Sequence, residues 1–389
     1  MNSIEHKKMI KISLKFLLAF VMISITAFGQ NEQAEADFNT VMQKFKAVGA
    51  AVAVVKDGKI IYTQSFGLKD LEKNIKLTNK DIFRIASISK SFSATSIMQL
   101  VEAGKVSLDD DFGDLAGFRI RNPKYPDQKI TLKMALSHTS SLNDSQGYLN
   151  LDLINPEKNP DWSKCYNDYA PGTKFNYCNL NFNIIGAIIE NKSGERFDTY
   201  VKNHVLEPLG LYGGYCVDSL DSTRFVNLYE YSPSDSKFSV AAMAYAPRRN
   251  EIRNYKMGYS TPIFSPTGGM KISAEDLAKY MIMHMNYGQS NGVKIIAKKS
   301  AKLMQTALTD DEGYGLAIRS ANNFIPGVKL KGHTGSAYGL YSTMFFNPRN
   351  KFGFVIITNG INPTYTDDFP DFSRAAINTL YQHFISNKK

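Results

Sequence analysis

Strand patterns lie at both ends of this chain and enclose about 150 residues whose pattern is typical of helices and loops. Near the start, β-rich runs at 49–55 and 60–62 flank an Asp-Gly pair, which predicts a tight hairpin. Four more strand patterns follow near the end, at 315–320, 328–333, 341–347 and 352–359. Because strands need partners, the simplest fold is one antiparallel sheet built from both ends of the chain.

Helix signals complete this architecture. A polar, helix-like opening is expected at 34–48, and a terminal helix is expected at 372–385. Ser273 begins a capping box before a further helix at 277–285.

We therefore predict an α/β (α+β) fold, in which an antiparallel sheet is flanked by terminal helices and joined to a helical lobe. The sheet lobe takes residues 30–110 and 261–389, and the helical lobe takes about 111–260. A cleft between two such lobes is the default place for a small ligand.

The first 29 residues have the pattern of a secretory signal peptide. Four lysines precede a mostly apolar run from Phe16 to Phe28. This run of 13 residues is short for a membrane span, which needs about 20, so an uncleaved anchor is the less favoured alternative. We expect a mature chain that begins near Gln30, has no stable membrane span and is periplasmic or secreted.

Charge and composition argue against several classes of function. Without the first 29 residues the formal net charge falls from +10 to about +7, but the lysines are scattered, so nucleic acid is not an expected partner. Cys165, Cys178 and Cys216 are too few for a disulfide scaffold, and a Cys165–Cys178 bridge and buried free thiols both stay open. No Cys or His has metal-ligand spacing, so no metal site is predicted.

A serine and a lysine lie three residues apart at a predicted strand-to-helix junction. An extended run at 82–86 leads into Ser87, and a helical pattern then continues as far as Gly104. Residues three apart share a helix face, so Lys90 can reach the Ser87 hydroxyl. Serine needs such a base at neutral pH, and the free N–H groups of a helix N-terminus can stabilise negative charge on an attacked carbonyl.

The same Ser-x-x-Lys spacing recurs at 234–237 and 386–389, so the spacing alone does not identify a site. The first recurrence lies in a loop rich in Pro, Ser and Asp, and the second lies at the C-terminus. Only Ser87 follows an extended run and precedes an apolar helix. The context therefore selects Ser87 as the candidate nucleophile.

Two further motifs follow in order, Tyr-Cys-Asn at 177–179 and His-Thr-Gly-Ser at 333–336. Near matches at 148–150 and 138–140 show that short motifs also recur by chance, and the second of these is expected to fix a loop. With Ser-x-x-Lys, the ordered set resembles the three motifs of serine β-lactamases and penicillin-binding proteins. The Tyr and His variants are similar to the branch of class C β-lactamases, D-alanyl-D-alanine carboxypeptidases, D-aminopeptidases and related esterases, over residues 45–385.

The resemblance implies a role for each matched residue. Ser87 would attack a carbonyl and become acylated, while Lys90 and Tyr177 share the proton relay, with Tyr177 as a phenolate or a proton shuttle. Asn179 would hold Lys90 and the substrate amide. The backbone N–H groups of Ser87 and Ser336 would form the oxyanion hole.

The third motif supplies the expected substrate-binding residues. His333, Thr334 and Gly335 would line the strand beside the acyl group and meet a carboxylate or another polar end of the substrate. Histidine is mostly neutral near pH 7, so it would anchor a carboxylate less firmly than the lysine of the efficient β-lactamases. This departure argues against dedicated antibiotic resistance.

The resemblance implies an exported serine hydrolase that works through a Ser87 acyl-enzyme without a cofactor. Its expected substrate is a small molecule or peptide, namely a cell-wall peptide, an ester or a β-lactam, and cleavage of D-Ala-D-Ala-type peptides is favoured. An esterase, a D-aminopeptidase and a class C-like β-lactamase stay open, because specificity lies in loops such as 144–168 and 212–260. A penicillin-binding or wall-binding protein that is acylated without turnover is a further alternative.

Overall fold

The structure, a computed structural model, describes residues 31–309, 312–367 and 369–386. The predicted signal peptide therefore lies outside the described residues. Within them, no helix is both long and apolar enough to cross a membrane.

The strands of this part of the chain are numbered in order. They are β1 (Gly49–Lys56), β2 (Lys59–Asp70), β3 (Ile75–Lys76), β4 (Phe83–Arg84), β5 (Gly213–Gly214), β6 (Tyr229–Ser232), β7 (Lys237–Val240), β8 (Lys271–Ile272), β9 (Gln289–Ser290), β10 (Val293–Lys294), β11 (Arg319–Ile325), β12 (Val328–Ala337), β13 (Leu340–Asn347), β14 (Phe352–Thr358), β15 (Tyr365–Thr366) and β16 (Phe369–Pro370).

The α-helices are numbered in the same way. They are α1 (31–44), α2 (Ser89–Glu102), α3 (Phe112–Ala116), α4 (Leu132–Leu136), α5 (Asn179–Ser193), α6 (Phe197–Val201), α7 (Arg249–Arg253), α8 (Ala274–Met285), α9 (Lys298–Met304) and α10 (Asp371–Phe384). The helices predicted at 34–48, 277–285 and 372–385 correspond to α1, α8 and α10. Ser273 caps α8 as predicted, because its hydroxyl accepts a hydrogen bond from the Asp276 N–H at 3.1 Å.

One large antiparallel sheet joins the two ends of the chain, in the order β11-β12-β13-β14-β1-β2-β3. β1 pairs with β14 from Ala50 opposite Thr358 to Val55 opposite Gly353. The hairpin between β1 and β2 turns at 57–58, where both residues have positive φ, as a two-residue type I′ turn requires. The predicted α/β (α+β) class and the hairpin are both confirmed.

Helices cover both faces of the sheet at β1, which explains why this strand is almost continuously apolar. Val52 belongs to a core with Phe38 of α1 and Phe372 of α10. Its neighbour Ala53 belongs to a second core that contains Leu277 of α8. Successive residues of a strand point to opposite faces, so each face of β1 packs against a different helical layer.

One predicted strand is misplaced. The pattern predicted a strand at 315–320, whereas β11 begins at Arg319 and runs to Ile325. Residues before it form a tight turn in which the Gly315 N–H donates to the Ile318 carbonyl at 2.8 Å, and Ala317 has a φ of 57°. The three residues after Gly315 are buried but form no strand, so burial alone accounts for the apolar pattern that predicted one.

The middle of the chain contains strands as well as helices. β6 and β7 form a separate hairpin, and β5 joins β8 and β4 in a small sheet. Since β4 immediately precedes the segment of Ser87, this small sheet connects the middle of the chain to the candidate nucleophile. The lobe boundaries near 110 and 260 stay a prediction.

Replacing Gly339 by Ala is expected to destabilise the fold much more than the same change at Gly327. Both glycines lie in tight hairpin turns with φ of 77° and 73°, so each alanine meets a similar backbone cost of about 1 kcal/mol. A Cβ at Gly339 would also lie 1.8 Å from the Tyr229 carbonyl oxygen, whereas a Cβ at Gly327 meets no described atom within 4 Å. Urea unfolding should show an extra loss of roughly 2 kcal/mol for G339A. Equal losses in the two variants would contradict this close approach.

Candidate active site

Ser87 lies at a bend between β4 and α2. The residue before it, Ala86, has a φ of 46°, which is uncommon for a side chain with a Cβ atom. Residues 86–88 form a 3₁₀ turn and α2 begins at Ser89, so Ser87 precedes the α-helix, whereas the sequence predicted that it would open the helix. The bend leaves Ser87 partly exposed at the head of a buried helix.

Lys90 is fully buried, and its amine has three polar neighbours. Nζ lies 3.1 Å from Oγ of Ser87, 2.8 Å from Oδ1 of Asn179 and 3.0 Å from the carbonyl oxygen of Thr267. Removal from water lowers the pKa of the Lys90 amine from 10.5 to about 7, while the carboxylate of Asp144 acts in the opposite direction. A large fraction of the amine is therefore neutral near pH 7.

The three neighbours suit a neutral amine. The carbonyl oxygens of Asn179 and Thr267 can only accept, so each can take one N–H of the amine. The nitrogen lone pair is then left for the hydroxyl of Ser87, which can donate. This arrangement puts a base next to the candidate nucleophile.

Tyr177 lies beside the same amine, just before α5. Its ring centroid is 4.7 Å from Lys90 Nζ and 4.3 Å from the ring centroid of His138. Although 37% of the residue is exposed, its hydroxyl end is enclosed, and this burial raises the pKa of the Tyr177 hydroxyl, while a hydrogen bond with Ser87 acts in the opposite direction. Of the two expected roles, the proton shuttle fits better than the phenolate, because the phenol stays protonated at neutral pH.

A carboxylate that the sequence analysis did not single out binds the N-terminus of α5. Asp144 accepts hydrogen bonds from the backbone N–H groups of Asn179 at 2.8 Å and Leu180 at 3.0 Å, and from Nδ2 of Asn179 at 2.9 Å. Such a position suits an anion, since the first N–H groups of a helix lack partners within it. An acid in a loop carries no local signal, so only the fold reveals this contact.

His333 is buried, and both of its ring nitrogens have protein partners. Nε2 accepts from the Tyr314 hydroxyl at 2.8 Å, and Nδ1 donates to the Thr334 carbonyl. Burial, and next the charge of Lys90, lower the pKa of His333 to about 3, so the ring is neutral. The substrate contact expected at His333 would require one of these bonds to break. Tyr314 was not among the predicted residues.

Gly335 brings β12 against the turn that carries Ser87. A Cβ at this position would lie 2.3 Å from the Ile85 carbonyl oxygen and 2.9 Å from the Ser87 backbone nitrogen, so the approach requires glycine. β11 pairs with only the first half of β12, and the second half contacts the Ser87 turn. The backbones of Ser87 and Ser336 therefore belong to neighbouring segments, while their joint role as an oxyanion hole stays a prediction. Thr334 is partly exposed along the same strand.

A cationic residue at the start of β11 also acts on the site. The guanidinium of Arg319 lies 3.2 Å from the carboxylate of Glu312. Its positive charge acts to lower the pKa of Tyr177 and of His333. A cavity of about 470 Å³ has Glu312 and the loop at 172–175 in its wall. No motif marks Arg319, so the sequence does not predict its presence at the site.

The structure brings Ser87, Lys90, Tyr177 and Asn179 into one cluster, which can activate a hydroxyl for attack on a carbonyl. Among residues 31–309, 312–367 and 369–386, no group of three or more His, Cys, Asp or Glu side chains could hold a metal ion.

The three cysteines are free and buried, so the disulfide alternative is wrong. The second Ser-x-x-Lys sequence, at 234–237, lies at the β6–β7 turn, away from any such cluster.

Comparison with known families gives one match over most of the chain. Residues 35–376 match the family described as Beta-lactamase. The chain belongs to the beta-lactamase family. The resemblance to serine β-lactamases and penicillin-binding proteins, which the sequence predicted, is therefore confirmed.

Individual relatives and solved structures are similar over most of the chain. Protein flp from Staphylococcus aureus (strain N315) is 23% identical over 344 residues, which cover 83% of this chain and 62% of that protein, so the chain spans less than two thirds of this relative's length. The octameric penicillin-binding protein homologue from Pyrococcus abyssi is 26% identical with a TM-score of 0.70, covering 90% of this chain and 77% of that one. The D-amino acid amidase from Ochrobactrum anthropi SV3 shares the fold, with a TM-score of 0.70, 18% identity and coverage of 91% and 99%.

Acylation of Ser87 is expected to depend on a group with a pKa near 7. The Lys90 amine accepts a proton only when it is neutral, so the acylation rate should rise with pH through about 7 and then level off. The rate of labelling by a fluorescent penicillin or an activated ester, measured from about pH 5 to 9, tests this dependence. A rise centred near pH 10, the ordinary range of lysine, would contradict a neutral Lys90 as the base.

Proposed function

We propose that this protein is an exported serine hydrolase that acts through an acyl-enzyme on Ser87. The observation that carries the proposal is the buried Lys90 amine, which lies 3.1 Å from Ser87 Oγ and has two carbonyl oxygens to accept its N–H groups. Membership of the beta-lactamase family supports the same chemistry. Export rests on the sequence pattern at 1–29.

The proposed reaction has two steps. Ser87 Oγ attacks the substrate carbonyl carbon, and its proton passes to the Lys90 amine, directly or through Tyr177. The C–N bond of an amide or the C–O bond of an ester then breaks, and the leaving group takes the proton from the same relay. Water then attacks the carbonyl carbon of the Ser87 ester and gives a proton to the same relay. The bond from this carbon to Ser87 Oγ breaks, Oγ takes the proton and the acid is released, with the N–H groups of Ser87 and Ser336 stabilising the oxyanion in both steps.

Intact-mass spectrometry of the mature protein with Ser87→Ala as control tests this proposal. The protein is incubated separately with a fluorescent penicillin, a D-Ala-D-Ala peptide and a short acyl ester. We expect an adduct or turnover that is absent from S87A, because the acyl group must bond to Ser87 Oγ. An adduct that persists without product would instead favour a protein that is acylated without turnover. Neither adduct nor turnover with any of the three compounds would contradict the hydrolase.

Peptides of the D-Ala-D-Ala type are the favoured substrates. These peptides end in a free carboxylate, which the site would have to bind. His333 is neutral, so a positive charge for this carboxylate has to come from elsewhere in the site. Arg319 carries such a charge close enough to act on Tyr177 and His333, and its partner Glu312 is in the wall of the neighbouring cavity. A substrate carboxylate that replaced Glu312 beside Arg319 would gain a charge-assisted hydrogen bond.

Arg319→Gln is expected to weaken the hydrolysis of peptides that have a free C-terminal carboxylate. Loss of a charge-assisted hydrogen bond of about 1.5–3 kcal/mol corresponds to a decrease in kcat/KM of roughly 10- to 100-fold. The matched control is the same peptide with a C-terminal amide, for which kcat/KM should change less than about threefold. Equal losses for both peptides would argue against carboxylate recognition by Arg319.

An enzyme that acts on D-amino acid amides, or an esterase, is the second candidate function. The fold shared with the D-amino acid amidase and the neutral His333 favour a substrate without a terminal carboxylate. The same peptide pair separates the two candidates. If wild type prefers the peptide with the C-terminal amide, the amide hydrolase or esterase is favoured. If it prefers the peptide with the free carboxylate, the carboxypeptidase is favoured.

A further inference from the structure

Asp144 joins the loop after α4 to the amide that contacts Lys90. One carboxylate oxygen, Oδ2, accepts from the backbone N–H of Asn179 at 2.8 Å and from its Nδ2 at 2.9 Å. The other, Oδ1, accepts from the Leu180 N–H at 3.0 Å and from Sγ of Cys178 at 3.3 Å. A single carboxylate therefore binds donors from three consecutive residues at the start of α5.

These bonds determine which end of the Asn179 amide faces Lys90. Because Nδ2 donates to Asp144, Oδ1 is turned toward Lys90 Nζ and toward the hydroxyl of Thr267, each at 2.8 Å. A reversed amide would turn its NH₂ group toward the amine, where two sets of donors would face each other. The acceptor that Lys90 uses is therefore available only in the orientation that Asp144 selects.

The other titratable groups around Lys90 are neutral near pH 7. They are Tyr177 and Cys178, whose pKa values are raised mainly by burial, and His138 and His333, whose pKa values are lowered mainly by burial. These groups come from the segment before α5, the segment after α4 and from β12. Among the described residues, the Asp144 carboxylate therefore supplies the negative charge that acts to raise the pKa of Lys90.

We propose that Asp144 is a positioning residue for the acylation of Ser87, because it fixes the orientation of the Asn179 amide and sets the negative charge near Lys90. The inference deepens the proposed function and rests on it, since it assigns Asp144 a part in the same proton transfer. Asp144 acts through Asn179 and Lys90, so its removal should alter both the rate of acylation and its pH dependence.

Asp144→Asn is expected to change two measured quantities. Loss of the negative charge destabilises the protonated amine, so the pKa of Lys90 falls and the rise of the acylation rate moves to lower pH by roughly one unit. The introduced amide side chain also offers one acceptor oxygen where the carboxylate offers two, so the Asn179 amide can reverse and the rate at high pH should fall roughly 10- to 100-fold. Asp144→Glu keeps the negative charge. The acylation rate of this variant should therefore rise at the same pH as in wild type, even if the rate itself is lower.

The experiment compares wild type, D144N and D144E by two measurements. Labelling by a fluorescent penicillin across the pH range gives the acylation rate and the midpoint pH of its rise. NMR titration of the ¹³Cε of lysine, with Lys90→Arg to assign the signal, gives the pKa of Lys90 without any substrate. Asp152→Asn is the matched control, because Asp152 is another partly buried carboxylate, in the short 3₁₀ turn at 151–154, and accepts from the Tyr259 hydroxyl. D152N should keep the wild-type midpoint and the wild-type Lys90 titration.

Three outcomes would count against the proposal or against its basis. A wild-type rate and midpoint in D144N would overturn it. A loss of rate that D152N matches, with the NMR titration of Lys90 unmoved, would leave Asp144 with only a structural role and would also overturn it. If wild type is not acylated at all, the proposed function fails. In that case a change in the Lys90 pKa by NMR in D144N, but not in D144E, would still support the action of Asp144 on Lys90.

Discussion

Burial of the Lys90 amine is the constraint that the rest of the site satisfies. An ammonium ion removed from water is costly, so the amine instead loses its proton readily, and its pKa falls to about 7. The neutral amine then needs acceptors for its N–H groups, which Asn179 and Thr267 supply from distant parts of the chain. The same burial that would destabilise a charged lysine therefore prepares a base beside Ser87.

Directional hydrogen bonds hold the elements that meet at Lys90. α2 buries polar side chains along with apolar ones, so apolar packing alone does not fix its position. The Ser93 hydroxyl donates to the Pro266 carbonyl at 3.0 Å, and the Ser89 hydroxyl accepts from the Met270 N–H at 3.0 Å. These bonds attach both ends of the segment that contains Thr267 to α2. A satisfied buried polar network of this kind specifies one arrangement of the helix and that segment.

Neutral rings surround the side of the site that carries Tyr177. His138 was expected to fix a loop, and its Nδ1 accepts from the Cys178 N–H at 3.1 Å, next to Tyr177. Tyr314 lies between the two histidines, with its ring 5.0 Å from that of His138 and its hydroxyl bonded to His333. Because burial keeps both imidazoles neutral, they add no positive charge that would further lower the pKa of Lys90.

The sequence by itself determined the features that depend on a few neighbouring residues. These include the Asp-Gly hairpin, the capped helix α8 and the candidate residues Ser87, Lys90, Tyr177 and Asn179, which short motifs mark. The strand expected at 315–320 was misplaced, because burial and strand pairing leave the same apolar pattern in a sequence. Only the tertiary structure decided the partners of those motifs, which are Asp144, Thr267, Tyr314 and Arg319. A single acid, hydroxyl or guanidinium has no local pattern, and Thr267 reaches Lys90 across 177 residues of chain.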